Sequence, residues 1–150
     1  MKWVTRERPK IDRIACPWLV ARFIDEDAEF LYVPAGEVLK VAEDAGAIPY
    51  DIPGVRYGHE GEQCSFDAFL KLHKLDDPAL HELAIIVRGA DTARLDLAPQ
   101  CAGLLALSLG LSRNYPNDLD MLGQGMVMYD ALYSWIKSAR SETHNWPPAT

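Results

Sequence analysis

The strongest periodic signal lies near the C-terminal end of the chain. Leu119, Leu122, Met126, Tyr129, Tyr133 and Ile136 recur at steps of three and four, the spacing of one helix face. A second row, Met121, Met128, Leu132 and Trp135, makes this last helix apolar around much of its circumference. It is therefore either deeply buried or part of a dimer contact. Pro116 marks its start. Upstream, Pro99 opens "PQCAGLLALSLGL", and Asp77 with Pro78 opens "PALHELAIIVR", which Gly89 ends. Ser65 caps "FDAFLKLHK", with Asp67 in the first turn, where a negative charge suits the helix dipole.

The N-terminal half has a different rhythm. "KWVTRE" and "EFLYVP" read as strands from their alternation and their aromatic and branched content. "IPYDIPG" and "VRYGHE" read as short strands, the first confined to an edge by Pro49 and Pro53. Between them, "CPWLVARFID" predicts a helix with Pro17 at its first position and Cys16 at its N-cap. "GEVLKVAEDAG" predicts a short amphipathic helix, with Val38, Leu39, Ala42 and Ala45 on one face and Gly46 as its stop. The expected fold is α+β, predominantly α: a small mixed N-terminal sheet covered by a helical C-terminal half. One domain is expected over residues 1–140, and residues 141–150 are expected to form a flexible tail, because Pro147 and Pro148 cannot continue a helix.

Composition narrows the class. The chain has 150 residues, 49% hydrophobic and 25% charged, the balance of an ordinary globular domain. No apolar run is long enough to span a bilayer. "MKWVTRERPK" lacks an apolar signal core, so no export is expected. Three cysteines without a framework of spacings suit a reducing cytoplasm. The net charge of −7 repels nucleic-acid backbones and anionic membranes. It also repels oxyanions, so an anion site would have to be built locally from arginines and backbone N–H groups.

Three stretches, two of them holding a cysteine of interest, carry side chains suited to chemistry. "YGHEGEQCSF" places His59, Glu60, Glu62 and Cys64 close together. Imidazole, carboxylate and thiolate donors at His59, Glu62 and Cys64 suit zinc, iron or manganese and would leave a coordination position open. The alternative is a polar loop ahead of a helix. Cys16 and Cys64 both fall near predicted helix N-termini, where a thiolate is favoured, with Arg13 and Arg22 close to Cys16 in sequence. The alternative is two small buried hydrophobes, as Cys101 is expected to be. In "VRGADTARLD", Asp91 is a candidate fourth ligand or outer acceptor, and Arg88 a candidate anion clamp. The alternative there is a capped turn. In "IDRIACPW", Asp12 and Arg13 read as an ion pair or as the flank of a site centred on Cys16. His73 and His81 read as surface residues. No phosphate-binding glycine loop, serine nucleophile elbow or dinucleotide fingerprint is present.

The motifs "DRIACPWLVARFID", "GHEGEQCSFDAFL", "LAIIVRGADT" and "LDLAPQCAGLLALSLGLSRNYPNDLDMLGQGMVMYDALYSW" together resemble the C-terminal domain family of the chromate-resistance protein ChrB. The resemblance runs in order from about Ile11 to about Lys137. It implies a role in sensing or resisting chromate. The family's recurring polar positions match Asp12, Arg13, Cys16, Arg22, Asp25, His59, Glu62, Cys64, Arg88 and Asp91. Longer members carry an N-terminal region thought to bind DNA. This chain starts almost at the shared domain, so no autonomous nucleic-acid binding is expected. The expected partner is a small inorganic ion, either a metal cation held by His59, Glu62, Cys64 and Asp91 or chromate held by Arg13, Arg22 and Arg88. No membrane partner is expected, and the apolar last helix is a candidate homodimer contact. The alternative function is an enzyme, reducing chromate with thiols or hydrolysing with a metal-bound water.

Overall fold

The computed structural model describes residues 1–148. Three strands, β1 (Lys2–Arg6), β2 (Glu29–Val33) and β3 (Ile48–Pro49), form one sheet in the order β2-β1-β3. Both pairings are parallel, with Trp3 opposite Phe30 and Ile48. The sheet was expected to be mixed. It is parallel because each strand returns through a helix instead of a hairpin.

Six helices follow or interleave: α1 (Asp12–Phe23), α2 (Val38–Ala45), α3 (Ser65–Leu72), α4 (Pro78–Asp91), α5 (Cys101–Asn114) and α6 (Asp118–Ser134). A π-helical turn, Trp135–Ala139, extends α6. The fold is α+β and mainly α. Residues 141 to 148 form no helix or strand, and 149 and 150 lie outside the described residues.

Alternation along β1 divides the core. Val4 faces Val38 and Ala47 in a small cluster under α2. Trp3 faces the main core, edge-on to Tyr50 and Tyr57 and tilted on Phe69. A parallel sheet covered on both sides results.

Helix α1 runs through the centre of the molecule, with every residue from Ile14 to Val20 buried. It starts at Asp12, so Pro17 lies inside it and Cys16 is not its N-cap. Pro17 has no N–H to give the Arg13 carbonyl four residues back. That carbonyl accepts instead from the Tyr32 hydroxyl at 2.7 Å and the Tyr50 hydroxyl at 3.4 Å. The sheet thus supplies the bonds that the proline removes. On the other side α1 packs against α6, so closely that a Cβ on Gly125 would lie 2.2 Å from Ile14 Cγ2. Trp18 Nε1 and the Arg22 guanidinium both donate to Asp130 of α6. Tyr129 donates to the Ile11 carbonyl.

The other helix boundaries follow from capping. Asp77 caps α4 by accepting from the Ala79 N–H, and Asn117 caps α6 by accepting from Leu119 and Asp120. The cap of α3 is Cys64 rather than Ser65, in a reciprocal arrangement with Asp67. Helix α4 runs through Gly89 to Asp91. Gly89 is there for contact, not termination: a Cβ would lie 2.3 Å from Cys101 Sγ and 2.7 Å from the Arg94 carbonyl. "VRYGHE" forms no strand, and only an isolated bridge joins Tyr57 to Tyr50.

Candidate metal centre

The carboxyl ends of β1 and β3 lie side by side, and each is followed at once by chain that enters the site. In parallel sheets this edge is where ligands bind, above all where successive connections leave in opposite directions. Here β1 connects through α1 to β2 on one side, and β2 connects past β1 to β3 on the other. Asp12 opens α1 just after β1, and Asp51 lies two residues beyond β3. The loop between Asp51 and α3 brings in His59. The last residue of α4 is Asp91.

These four side chains converge. His59 Nε2 lies 3.0 Å from Asp91 Oδ2, 3.2 Å from Asp51 Oδ1 and 3.5 Å from Asp12 Oδ2. One ligand atom from each of Asp12, His59 and Asp91 lies within 4.8 Å of the others. Asp12 is fully buried, Asp51 and Asp91 nearly so, and His59 is half-exposed, forming the lid of the group.

Two helix N-termini hold the carboxylates. Asp12 accepts from the Ser65 N–H at 2.7 Å and the Phe66 N–H at 3.2 Å, the first two residues of α3. It therefore satisfies donors that the helix itself leaves open and lies at the positive end of its dipole. Asp91 in turn accepts from the Asp12 N–H at 3.4 Å, at the start of α1. Asp51 accepts from the Ser65 hydroxyl at 2.8 Å, and Arg13 Nε lies 3.6 Å from its other oxygen. Backbone strain flanks the group: Ile11, which precedes Asp12, has φ 46°, and Asp51 has φ 52°. A branched residue in that region is held only by its surroundings, and such outliers gather at functional sites.

The electrostatics follow from three acids around one imidazole. Burial raises the pKa of Asp12, with the Asp51 charge adding to it, although His59 and the Ser65 N–H act the other way. Burial, then Asp12 and Asp51, push Asp91 up to about 7. Hydrogen bonds to Asp12 and Asp51 push His59 up to about 10. At neutral pH one imidazolium faces three acids, and the Arg6 and Arg13 guanidiniums lie 3.4 and 3.6 Å from the second oxygen of Asp51.

This has a measurable cost. A carboxyl whose folded pKa exceeds its unfolded value of about 3.9 destabilises the fold as it ionises, so Asp91 lowers stability as pH rises from about 4 through 7. His59 contributes stability present below about 6.5 and lost as pH rises through about 10. Asp91→Asn keeps an acceptor for the Asp12 N–H and removes the charge. In chelator-treated protein it is expected to raise stability at pH 8 by on the order of 1–2 kcal/mol and to change little at pH 4. Denaturant melts at the two pH values check this, and a variant less stable at pH 8 would contradict it.

The residues expected from the sequence divide clearly. His59 and Asp91 meet, and Asp12, expected beside the ligands, is among them. Glu62 and Cys64, expected as ligands, lie outside the group. Glu62 is exposed in the wall of a neighbouring cavity of about 540 Å³ with Arg88, Thr92 and Arg94. Cys64 is buried, its Sγ 3.4 Å from Asp67. Cys16 is buried, with Sγ 3.7 Å from Asp12. Burial and nearby acids push both thiols up, opposite to the activated thiolates expected. The arginines expected to clamp an anion each face a carboxylate: Arg13 and Asp51, Arg22 and Asp130, Arg88 and Asp67. Asp25 binds the N-terminal ammonium. Asp51 was missed. Its one sequence signal is a lone acid between two prolines in "PYDIP", directly after an edge strand.

The family described as "ChrB, C-terminal domain" matches residues 3–136 of the chain. Protein ChrB of Cupriavidus metallidurans is 32% identical over 140 residues, covering 93% of this chain. The chain spans 42% of that relative's length. No solved structure matches it.

Proposed function

The chain belongs to the ChrB C-terminal domain family, and we propose that it serves chromate resistance by binding one divalent metal ion at Asp12, His59 and Asp91, closed by Asp51. The observation that carries this reading is the convergence of three carboxylates on one imidazole nitrogen at separations of 3.0–3.5 Å. Neighbouring ligands on bonds of about 2.1 Å stand about 3 Å apart, which is the spacing of each oxygen from His59 Nε2, and one atom each of Asp12, His59 and Asp91 lies within 4.8 Å of the others. A metal ion bound there would take the Nε2 lone pair, so binding would release the His59 proton.

Asp12, His59 and Asp91 offer two oxygens and one nitrogen, with an Asp51 oxygen 3.2 Å from His59 beside them and no sulfur. That favours manganese or iron(II), with zinc as the competitor to exclude. The same set disfavours an oxyanion at this position. Chromate would meet carboxylates, and Arg13, Arg22 and Arg88 each already face an acid. A thiol reductase is disfavoured too, because Cys16 and Cys64 are buried and held protonated. The activity is binding rather than turnover, in a cytoplasmic protein. No described helix is long and apolar enough to cross a membrane.

The test is metal content and affinity. Protein purified without chelators or a metal-binding tag is offered manganese, iron(II) and zinc, then assayed by plasma mass spectrometry and calorimetry. One ion per chain is expected. Asp91→Asn and His59→Ala are each expected to weaken binding at least ~100-fold. Glu62→Ala and Cys64→Ala are expected to retain it. A folded wild type that takes none of the three ions would end the proposal.

A further inference from the structure

We propose that the cavity beside the metal centre binds a free amino acid as its zwitterion, with the carboxylate on Arg88 and Arg94 and the ammonium on Glu62. The cavity is walled by Glu62, Gln63, Arg88, Thr92, Arg94 and Leu97 and has a volume of about 540 Å³. Small-molecule sites occupy roughly 300–1,000 Å³, and a bare tetrahedral oxyanion would fill only a small part of this one. Two segments build it. One is the loop just after His59, and the other is the end of α4 with the turn that follows, on either side of Asp91. The cavity adjoins the metal ligands, but none of them lines it. The proposal therefore adds to the metal reading and does not rest on it.

The two arginines fix the carboxylate end. A guanidinium carries five N–H donors in a planar fork that matches a carboxylate. Arg88 gives Nη1 to Asp67 at 2.9 Å. Arg94 gives Nε and Nη2 to Asp96 at 2.9 and 3.0 Å. Among the described residues nothing engages Arg88 Nε or Nη2, or Arg94 Nη1. The Arg88 side chain is only 23% exposed, so its open donors are largely withdrawn from water. Asp67 is buried and also accepts from the Cys64 N–H in the cap of α3. It anchors the Arg88 guanidinium without exhausting it, and Asp96 does the same for Arg94 from outside the cavity wall.

The remaining wall selects against a simple anion. Glu62 brings a carboxylate into the same cavity. Thr92 donates its hydroxyl proton to the Arg88 carbonyl at 2.7 Å, so towards a ligand its oxygen acts as an acceptor. Open donors on the two guanidiniums and acceptors on Glu62 and Thr92 thus share one space, which asks for a molecule with an anionic group and a donor-rich cationic one. A zwitterion meets both. It also carries no net charge, so the field of a chain at −7, which repels anions, does not oppose its approach. Leu97 and the Gln63 amide leave room and contacts for the side chain of the amino acid.

The full chain, offered the twenty protein amino acids one at a time in calorimetry, tests this. At least one is expected to bind saturably with a Kd below about 1 mM. The carboxylic acid that lacks only its amino group, and sulfate, are expected to bind at least ~10-fold more weakly. Arg94→Gln and Glu62→Gln are each expected to weaken binding at least ~10-fold without lowering the melting temperature, because both side chains are largely exposed. Arg113→Gln, an exposed arginine outside the cavity, is expected to leave it unchanged. Folded His59→Ala protein, which should lose the metal, is expected to keep the amino acid, so the two readings fail separately. The proposal is overturned if none of the twenty binds, if sulfate or the amine-free acid binds as tightly, if Arg94→Gln or Glu62→Gln has no effect, or if binding is lost with His59.

Discussion

Asp12→Ala is expected to destabilise the fold by about 2–4 kcal/mol, although the residue lies in a crowd of like charges. Two effects oppose each other. Removing the carboxylate relieves its repulsion with Asp51 and Asp91. It also strips the buried Ser65 and Phe66 N–H groups of their acceptor, at about 1–3 kcal/mol for each unsatisfied donor. The Cys64 side chain is no substitute, because its bonding is directed to Asp67 in its own capping arrangement. The lost hydrogen bonds therefore win. Asp12→Asn keeps an amide oxygen for one of the two donors and sheds the charge, so its cost is expected to be less than half. Urea denaturation of metal-free protein separates the cases. An alanine variant within about 0.5 kcal/mol of wild type would mean that Asp12 has no structural role.

The second large effect is expected at Gly89. Gly89→Ala drives a methyl group into Cys101 Sγ and the Arg94 carbonyl. Backbone cannot rotate aside as a side-chain tip can, so either α4 and α5 separate or the 92–94 turn shifts. Overpacking of this kind costs about 1–3 kcal/mol, and the upper end is expected here because two elements are struck at once. Asp91 is two residues on, so metal affinity is expected to fall with stability. Cys101→Ala removes the sulfur and should recover part of the loss. A Gly89→Ala variant with wild-type stability and affinity would show that the α4–α5 contact can give way freely.

Gly89 also shows where a linear reading of the chain fails. Glycine after an apolar helical run is a standard stop signal, and nothing local distinguishes it from a glycine required by a neighbouring helix. Pro17 misleads in the same manner. It reads as a first helical position, yet α1 begins earlier because Tyr32 and Tyr50, distant in sequence, satisfy the carbonyl it leaves free. That error moved Cys16 from the interior of a buried helix to its cap and made it look reactive. The outline survived because it rests on signals that tertiary packing does not override: long apolar periodicity in α6, the start signals at Asp77–Pro78 and Pro116, and branched residues in β1 and β2. Of the site, His59 and Asp91 were legible by residue type. Asp12 was legible as an ion-pair partner of Arg13 or the flank of a site, but its acceptor role at α3 spans more than fifty residues. Asp51 was illegible, since a lone acid between prolines looks like any turn.

The phenol bonds to the Arg13 carbonyl have a further consequence, for the order of assembly. A helix normally closes its first turns with bonds between near neighbours. Here one such bond is missing, and its replacements come from β2 and from the segment after β3. The start of α1 is therefore completed only once chain from three separate regions has come together, which is a costly, late event. Asp12 is delivered by that same turn. Fraying of the turn and dissolution of the carboxylate group thus become one cooperative event, and slow hydrogen exchange at Ser65 and Phe66 is its natural reporter.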